Sequence, residues 1–257
     1  MTRLTKFLWQ IWLPIVLLAL WWVLSAGTDS FYFPSLQTIL DEFWSSWIFS
    51  NFITNGIPSI LRLFAGFVVA LIAGSGLGLV LGLNARLENA VRPIIDFIRS
   101  TPSTALLPLM IIFLGTGTNM KVFMIAFVAM WPILLNTVDG IRAVEPTLWS
   151  VATTFHIRKR DQIVHIVLPS ASPQIFAGAR VGLAVGLIAM VVSEMVGNPG
   201  GIGYFILNAQ RQFDMTAMWG GLVALGILGF SVNFVFKLIE RRVLARHTGM
   251  QNRHREG

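Results

Sequence analysis

From Phe7 to Thr28, from Leu63 to Ala85, from Val122 to Val138 and from Met215 to Phe236 the chain carries no charged side chain. A helix needs about 20 mostly apolar residues to cross the hydrocarbon core of a bilayer, and these runs meet that need. Charged residues are 12% of the 257, against about 25% in soluble domains, and mean hydropathy is +0.71. Such a chain cannot cover a water-facing surface, which excludes a soluble domain and a disordered one. Its formal net charge of +7 therefore raises the question of which bilayer face carries the charge, not of nucleic acid. Cysteine is absent, so no disulfide, thiolate nucleophile or thiolate metal site can form.

The pattern predicts an all-α polytopic membrane protein with six transmembrane helices, at residues 7–24, 57–83, 93–114, 119–138, 174–197 and 217–237. The organisation expected is an N-terminal transmembrane helix (1–30), an outer loop with an interfacial amphipathic helix (31–56), a five-helix core (57–240) and a basic tail (241–257). The first span competes with a secretory signal peptide, since Ser25-Ala26-Gly27 resembles a cleavage site. Its length and its tryptophans Trp9, Trp12, Trp21 and Trp22 favour a retained helix. Between Ser35 and Phe49, apolar residues from Leu36 to Ile48 recur at helical spacing opposite Asp41 and Glu42. Two readings fit: a helix in the membrane interface, or a cap over the bundle.

Small residues recur at every fourth position in two spans, as Gly66, Ala70, Gly74, Gly78 and Gly82, and as Gly178, Gly182 and Gly186. This spacing lets helix backbones approach closely, either in static packing or along a sliding surface. With a cytoplasmic N-terminus, only Arg62, Lys121 and Arg211 of the 19 basic residues fall on the outer side. The positive-inside rule then places both termini in the cytoplasm.

The largest inner loop, 140–172, carries Leu148, Val151, Ala152 and Phe155 at helical spacing after Pro146. A turn near His156 and the polar run Arg158-Lys159-Arg160-Asp161 separate it from a second short helix, which Leu168-Pro169 is expected to end. Its apolar stripe either packs back on the bundle or docks a cytoplasmic partner. No lysine follows a glycine, so a phosphate-cradling Gly-x-x-x-x-Gly-Lys-Ser/Thr loop is missing, and any ATP and Mg²⁺ would be bound by another chain. The histidines His156, His165, His247 and His254 fall in inner segments with no metal-site spacing. Gly74-Ser75-Gly76 admits an intramembrane serine nucleophile, but no span offers a histidine base. No cofactor is expected in this chain.

Inside the spans, Arg99-Ser100-Thr101-Pro102-Ser103 interrupts an apolar stretch, which is tolerated only against protein or a water-filled cavity. Glu194 near the end of the fifth span pairs or lines a pathway, with Arg211 as a candidate partner. Arg180 can snorkel to the headgroups.

The inner loop resembles the EAA motif of membrane-spanning subunits of bacterial ABC importers: Glu-Ala-Ala, three residues, Gly, nine residues, Ile, one residue, Leu-Pro. Aligned on Ile166, Leu168 and Pro169, the motif falls on Ser150, Val151, Ala152 and His156, so serine, valine and histidine replace its glutamate, first alanine and glycine. The glycine serves a left-handed turn, which histidine adopts at a cost. Further likeness lies in Phe33-Pro34-Ser35, Ser59-Ile60-Leu61-Arg62, Leu107-Pro108-Leu109, Trp131-Pro132-Ile133, Ser193-Glu194-Met195 and Glu240-Arg241-Arg242. Together these resemble the nitrate/sulfonate/taurine branch of such permeases, and riboflavin and pyrimidine-precursor permeases are similar.

The resemblance implies a type I importer permease in the bacterial cytoplasmic membrane, working as a homodimer in contact with lipid. It also implies two cytoplasmic ABC ATPase subunits and a periplasmic or lipid-anchored binding protein. Within that frame the coupling-loop candidates are Ser150, Val151, Ala152, Thr153, Phe155, His156, Arg158, Ile166, Leu168 and Pro169. The pathway candidates are Ser100, Thr101, Ser103, Asn136 and Glu194. The alternative from another class is a passive channel or a membrane scaffold.

Overall fold

The computed structural model describes residues 3–27, 30–197 and 199–253, with side chains from 12 to 245 apart from the gaps. Arg3, Lys6, Trp9, Asn198, His247 and His254 lie outside the described side chains. Among the described residues every regular element is helical. These are α1 (Arg3–Ser25), α2 (Leu36–Trp47), α3 (Ile57–Leu83), α4 (Ala85–Ser100), α5 (Leu107–Leu114), α6 (Thr118–Arg142), α7 (Pro146–Thr154), α8 (Lys159–Gln162), α9 (Leu168–Glu194), α10 (Ile202–Arg211) and α11 (Met215–Arg253).

The helices pack as two units, residues 1–58 with 200–227 and residues 59–199 with 228–257. In the first unit α2 starts at Ser35, whose side chain accepts from the Thr38 backbone N–H as an N-cap. Leu36, Ile39 and Trp47 of α2 are buried, and Trp47 meets Phe205 of α10 edge to face at 4.9 Å. One face of the helix thus packs within its unit, while Trp44 on its other side is exposed.

The second unit is organised around α6. The glycine faces of α3 and α9 both close on it. A methyl added at Gly66, Gly78 or Gly178 would stand 2.6 Å from the Cβ of Ile125, Thr137 or Asn136 respectively. On α3 these contacts advance in step with α6, from Gly66 on Ile125 to Gly82 on Ile141, so the two helices run parallel. On α9 they run in reverse, from Gly178 beside Asn136 to Gly182 beside Ala129, so that pair is antiparallel. Both glycine spacings build interlocked packing with no clearance to slide.

Four helices are long and apolar enough to cross a membrane: 52–83, 118–142, 159–194 and 215–245. The expected span at 93–114 is instead a pair, 85–100 and 103–114, bent by 85°. Thr101-Pro102 makes the break: Thr101 leaves helical geometry (ψ 125°), as the residue before a proline must. Counting the pair as one span gives five, and the apolar helix Trp12–Ser25 within α1 falls short over its described side chains. The span expected at 93–114 is thereby corrected to this bent pair, and the count of four, or five with the pair, among the described residues neither reaches nor overturns the expected six.

A second correction concerns Leu168-Pro169, which does not end a helix. Residues 159–194 form one long helix, because a π-helical turn at Ile163–Val167 leads straight into α9, with Pro169 in the first turn. The wider turn moves its hydrogen bonds to i+5 spacing, as in Leu168 N–H to the Ile163 carbonyl. The proline's missing N–H thus falls where the hydrogen-bond register changes from π to α rather than inside regular α-helix.

Candidate functional site

Three groups of polar residues stand out in the second unit. The first surrounds Glu194, which is wholly buried. Its carboxylate accepts from Ser59 Oγ at 2.8 Å and from Arg62 Nη1 at 2.8 Å. Lys121, 1% exposed, lies within electrostatic range of both Arg62 and Glu194. Within this unit the ion-pair partner of Glu194 is thus Arg62. Glu194 closes a packed cluster where α3, α6 and α9 meet.

The second group lies at the helix break. Ser100, Thr101 and Ser103 line a cavity of about 420 Å³ together with Arg99, Phe127, Trp131 and Val185. Ser100 and Thr101 donate their hydroxyls to the Phe97 carbonyl at 2.9 and 3.2 Å, closing the end of α4. Asn136 is not among the lining residues. It sits on the α6–α9 seam against Gly178, and its amide donates to the Pro132 carbonyl. Arg99 was missed by sequence reasoning, although it heads the Arg99-Ser100-Thr101-Pro102 run. On its other side a chamber of about 220 Å³ holds Glu88, Arg92, Asp96, Asp139 and Arg142. There Arg142 donates to Glu88 at 2.7 Å, tying the end of α6 to the start of α4.

The third group is the segment from α7 into α9. Phe155 and His156 end α7 with a paired hydrogen-bond pattern: Ile157 N–H to the Ala152 carbonyl (3.0 Å) and His156 N–H to the Thr153 carbonyl (3.1 Å). That is a Schellman turn, whose pivot needs positive φ. His156 supplies it at φ 52°, so the left-handed turn is made without glycine.

The apolar stripe divides at this turn. Ala152 is 1% exposed and faces inward, while Val167 packs with Ile141, Val144 and Ala171. Leu148, Val151 and Phe155 face outward, Phe155 at 74% exposure. Ser150, Thr153 and Arg158 are exposed, Ile166 is half-buried, and Leu168 and Pro169 sit in the first turn of α9. A buried Ala152 cannot present its methyl to a partner, which moves the docking candidates to its exposed neighbours.

Ser75 Oγ is sheltered without a hydrogen-bond partner, so no base is positioned to activate it. Among the described residues no cluster of His, Asp and Glu could hold a metal ion.

A family model described as "Binding-protein-dependent transport system inner membrane component" matches residues 70–245, covering α6, the α7 turn and the bent pair. The chain belongs to this family. An aliphatic sulfonates transport permease protein, so named, of Bacillus subtilis is 31% identical over 90% of this chain and 85% of its own length. A nitrate import permease of Synechococcus elongatus is 30% identical over 88% and 87%. The taurine transport system permease of Escherichia coli is 24% identical over 92% and 88%. A chain of the inward-facing MetNI methionine ABC transporter shares the fold, with a TM-score of 0.64 and 20% identity over 81% of this chain and 97% of that one. As a member of the family, the chain is a membrane permease component rather than an enzyme.

Proposed function

We propose that this permease forms the translocation pathway of an ATP-binding cassette importer for small organic or inorganic anions of the sulfonate, nitrate and taurine kind. Two copies of the chain would enclose the pathway in the cytoplasmic membrane, with both termini in the cytoplasm. A binding protein would deliver the solute from outside, and two cytoplasmic ATPase subunits would bind ATP and Mg²⁺.

The observation that carries this reading is the outward apolar face of α7. Leu148, Val151 and Phe155 stand in solvent-facing positions on a helix held by a Schellman turn, beside Arg158, Lys159 and Arg160. Apolar side chains displayed on a rigid element next to cations suit a docking surface for another protein. The sequence carries no phosphate-cradling loop of its own, which supports a nucleotide bound by that partner. Through the Glu88–Arg142 bond, α4 is fastened to the end of α6 from which α7 departs. Movement of the docked loop is thereby passed to the helix that ends at the cavity, in a two-state cycle driven by the partner's differential affinity.

Phe155→Asp tests the reading in the importer assembled from this chain with its partner ATPase and binding protein. The expected result is loss of ATPase co-purification and of solute uptake, with the permease still folded in the membrane. Normal assembly and uptake would remove the docking surface. Uptake that persists when the partner ATPase loses its Walker lysine would make the chain a passive channel.

A further inference from the structure

We propose that Arg99 is the residue that receives the transported solute, an organic oxyanion with a sulfonate or carboxylate head and an apolar body. The proposal rests on the importer reading above and assigns its solute site. Arg99 is the one charged residue lining the cavity of about 420 Å³ at the helix break, and no carboxylate lines that cavity. Its guanidinium can meet a planar or trigonal oxyanion face with two parallel N–H donors.

The rest of the lining sets the ligand's other end. Ser100 and Thr101 spend their protons on the Phe97 carbonyl, which leaves Arg99, Ser103 and Trp131 Nε1 as the side-chain donors of the lining. Phe127, Val128, Trp131, Leu135 and Val185 form an apolar wall, with Phe127 and Trp131 in edge-to-face contact at 5.6 Å. A charged head on Arg99 with a hydrocarbon body along that wall satisfies both halves of the cavity. A bare inorganic anion leaves most of its apolar surface unused.

Arg99 also lines the chamber of about 220 Å³ on its other side, which gives it a second role. There its Nε stands 3.8 Å from Asp96, with both side chains about half exposed. An ion pair that long and that wet holds its partners weakly, so an incoming oxyanion can take the place of Asp96. With Arg99 counted, the second chamber sets three arginines (Arg92, Arg99 and Arg142) against Glu88, Asp96 and Asp139 and is balanced in charge. Passage from the first to the second therefore moves the solute from a net positive site to a neutral one, a gradient that lets it leave. Arg99, bordering both, is the hand-over point.

The experiment uses the full-length chain in phosphatidylcholine nanodiscs, with phenylglyoxal as an arginine-specific reagent and mass spectrometry to read each site. At constant ionic strength set with sodium chloride, butanesulfonate is expected to slow modification of Arg99 several-fold and leave Arg92 unchanged. Butanol as the neutral analogue is expected to give no protection, and nitrate weaker protection than butanesulfonate. Equal slowing at Arg92, or no slowing at Arg99, overturns the assignment, and nitrate protecting as well as butanesulfonate overturns the apolar half of it. Protection by phosphatidylglycerol nanodiscs without added sulfonate would make the occupant a lipid and overturn it too.

A second arm measures butanesulfonate uptake by the assembled importer. Arg99→Gln is expected to raise KM at least tenfold with ATPase co-purification intact, and Arg99→Lys to recover part of the loss. Uptake unchanged in Arg99→Gln overturns the role of Arg99 and leaves the importer reading standing. A wild-type importer that carries no anion defeats the importer reading itself, while the nanodisc arm still reads the cavity.

Discussion

The α3–α6–α9 core and the bent pair α4–α5 hold their charges under opposite conditions. In the core, Glu194 is sealed from solvent and bonded at 2.8 Å to Ser59 and Arg62, with Lys121 beside them. Along α4, Arg99 meets Asp96 at 3.8 Å and both are about half exposed. Opposite charges attract far more strongly in a dry interior than beside water, and each depends correspondingly more on its partner. The sealed cluster therefore acts as an anchor that cannot exchange partners, and the open one as a set of loosely held groups that can. A transport protein needs both: a rigid frame that keeps its register, and charged groups free to trade a protein partner for a solute.

The contrast is broken most decisively at Glu194. Glu194→Gln leaves Arg62 and Lys121 buried without their anion, and the expected loss is about 3–5 kcal/mol. It would be read as a large fall in thermal unfolding temperature of the purified chain, and an unchanged temperature would show that the cluster is not an anchor. Gly178→Leu attacks the same core sterically, since its added Cβ would meet Asn136 Cβ at 2.6 Å and the Pro132 carbonyl at 2.7 Å. Overpacking of this kind costs about 1–3 kcal/mol. Gly76→Ala, where a Cβ meets nothing within 4 Å, serves as the control and should leave the unfolding temperature in place.

On the open side the effects shrink. Glu88 is itself buried, at 9% exposure, but its partners Arg142 and Arg92 reach solvent at 37% and 65%, so they can be rehydrated and Glu88→Gln should cost about 1 kcal/mol. That loss should fade when salt is raised toward 1 M, where screening acts within about 3 Å, whereas the loss in Glu194→Gln should not. Equal salt sensitivity in the two variants would erase the distinction between sealed and open charge. The smallest change lies outside both regions. His156→Gly relieves the left-handed pivot of the α7 turn, part of the gain being offset by glycine's freedom in the unfolded chain, for a net of about 0.5 kcal/mol. Slower hydrogen exchange at the Ile157 amide would report it.

Several features of this molecule could be read along the chain because they depend on neighbours in sequence. The glycine spacing of α3 and α9, the helix that follows Ser35 and the turn near His156 are local patterns, and each stands where the periodicity placed it. The bent pair was half legible: the polar run with Pro102 marked a break, but apolar length alone read it as a crossing. The split of the α7 stripe was not legible, because Leu148, Val151, Ala152 and Phe155 share one helical spacing. Which of them faces inward is decided by where Val167 and the end of α6 lie.

The charged cluster at Glu194 shows the limit most clearly. Arg62 and Lys121, two of the three basic residues outside the inward-facing set, turn out to gather around the one acid buried in the fifth span. That pairing could have been suspected from three charges at the same predicted depth. Yet Arg211 sits closer in sequence and satisfies the same rule, and Ser59 and Glu194 are 135 positions apart. By itself the sequence determined the membrane class, the helical content and the faces along which helices could approach, since these follow from the composition and period of single segments. Only the tertiary structure decided which charges meet, where the bent pair turns by 85° and which side of α7 is left uncovered. Those outcomes belong to the packing of distant segments, whose energies no one segment contains.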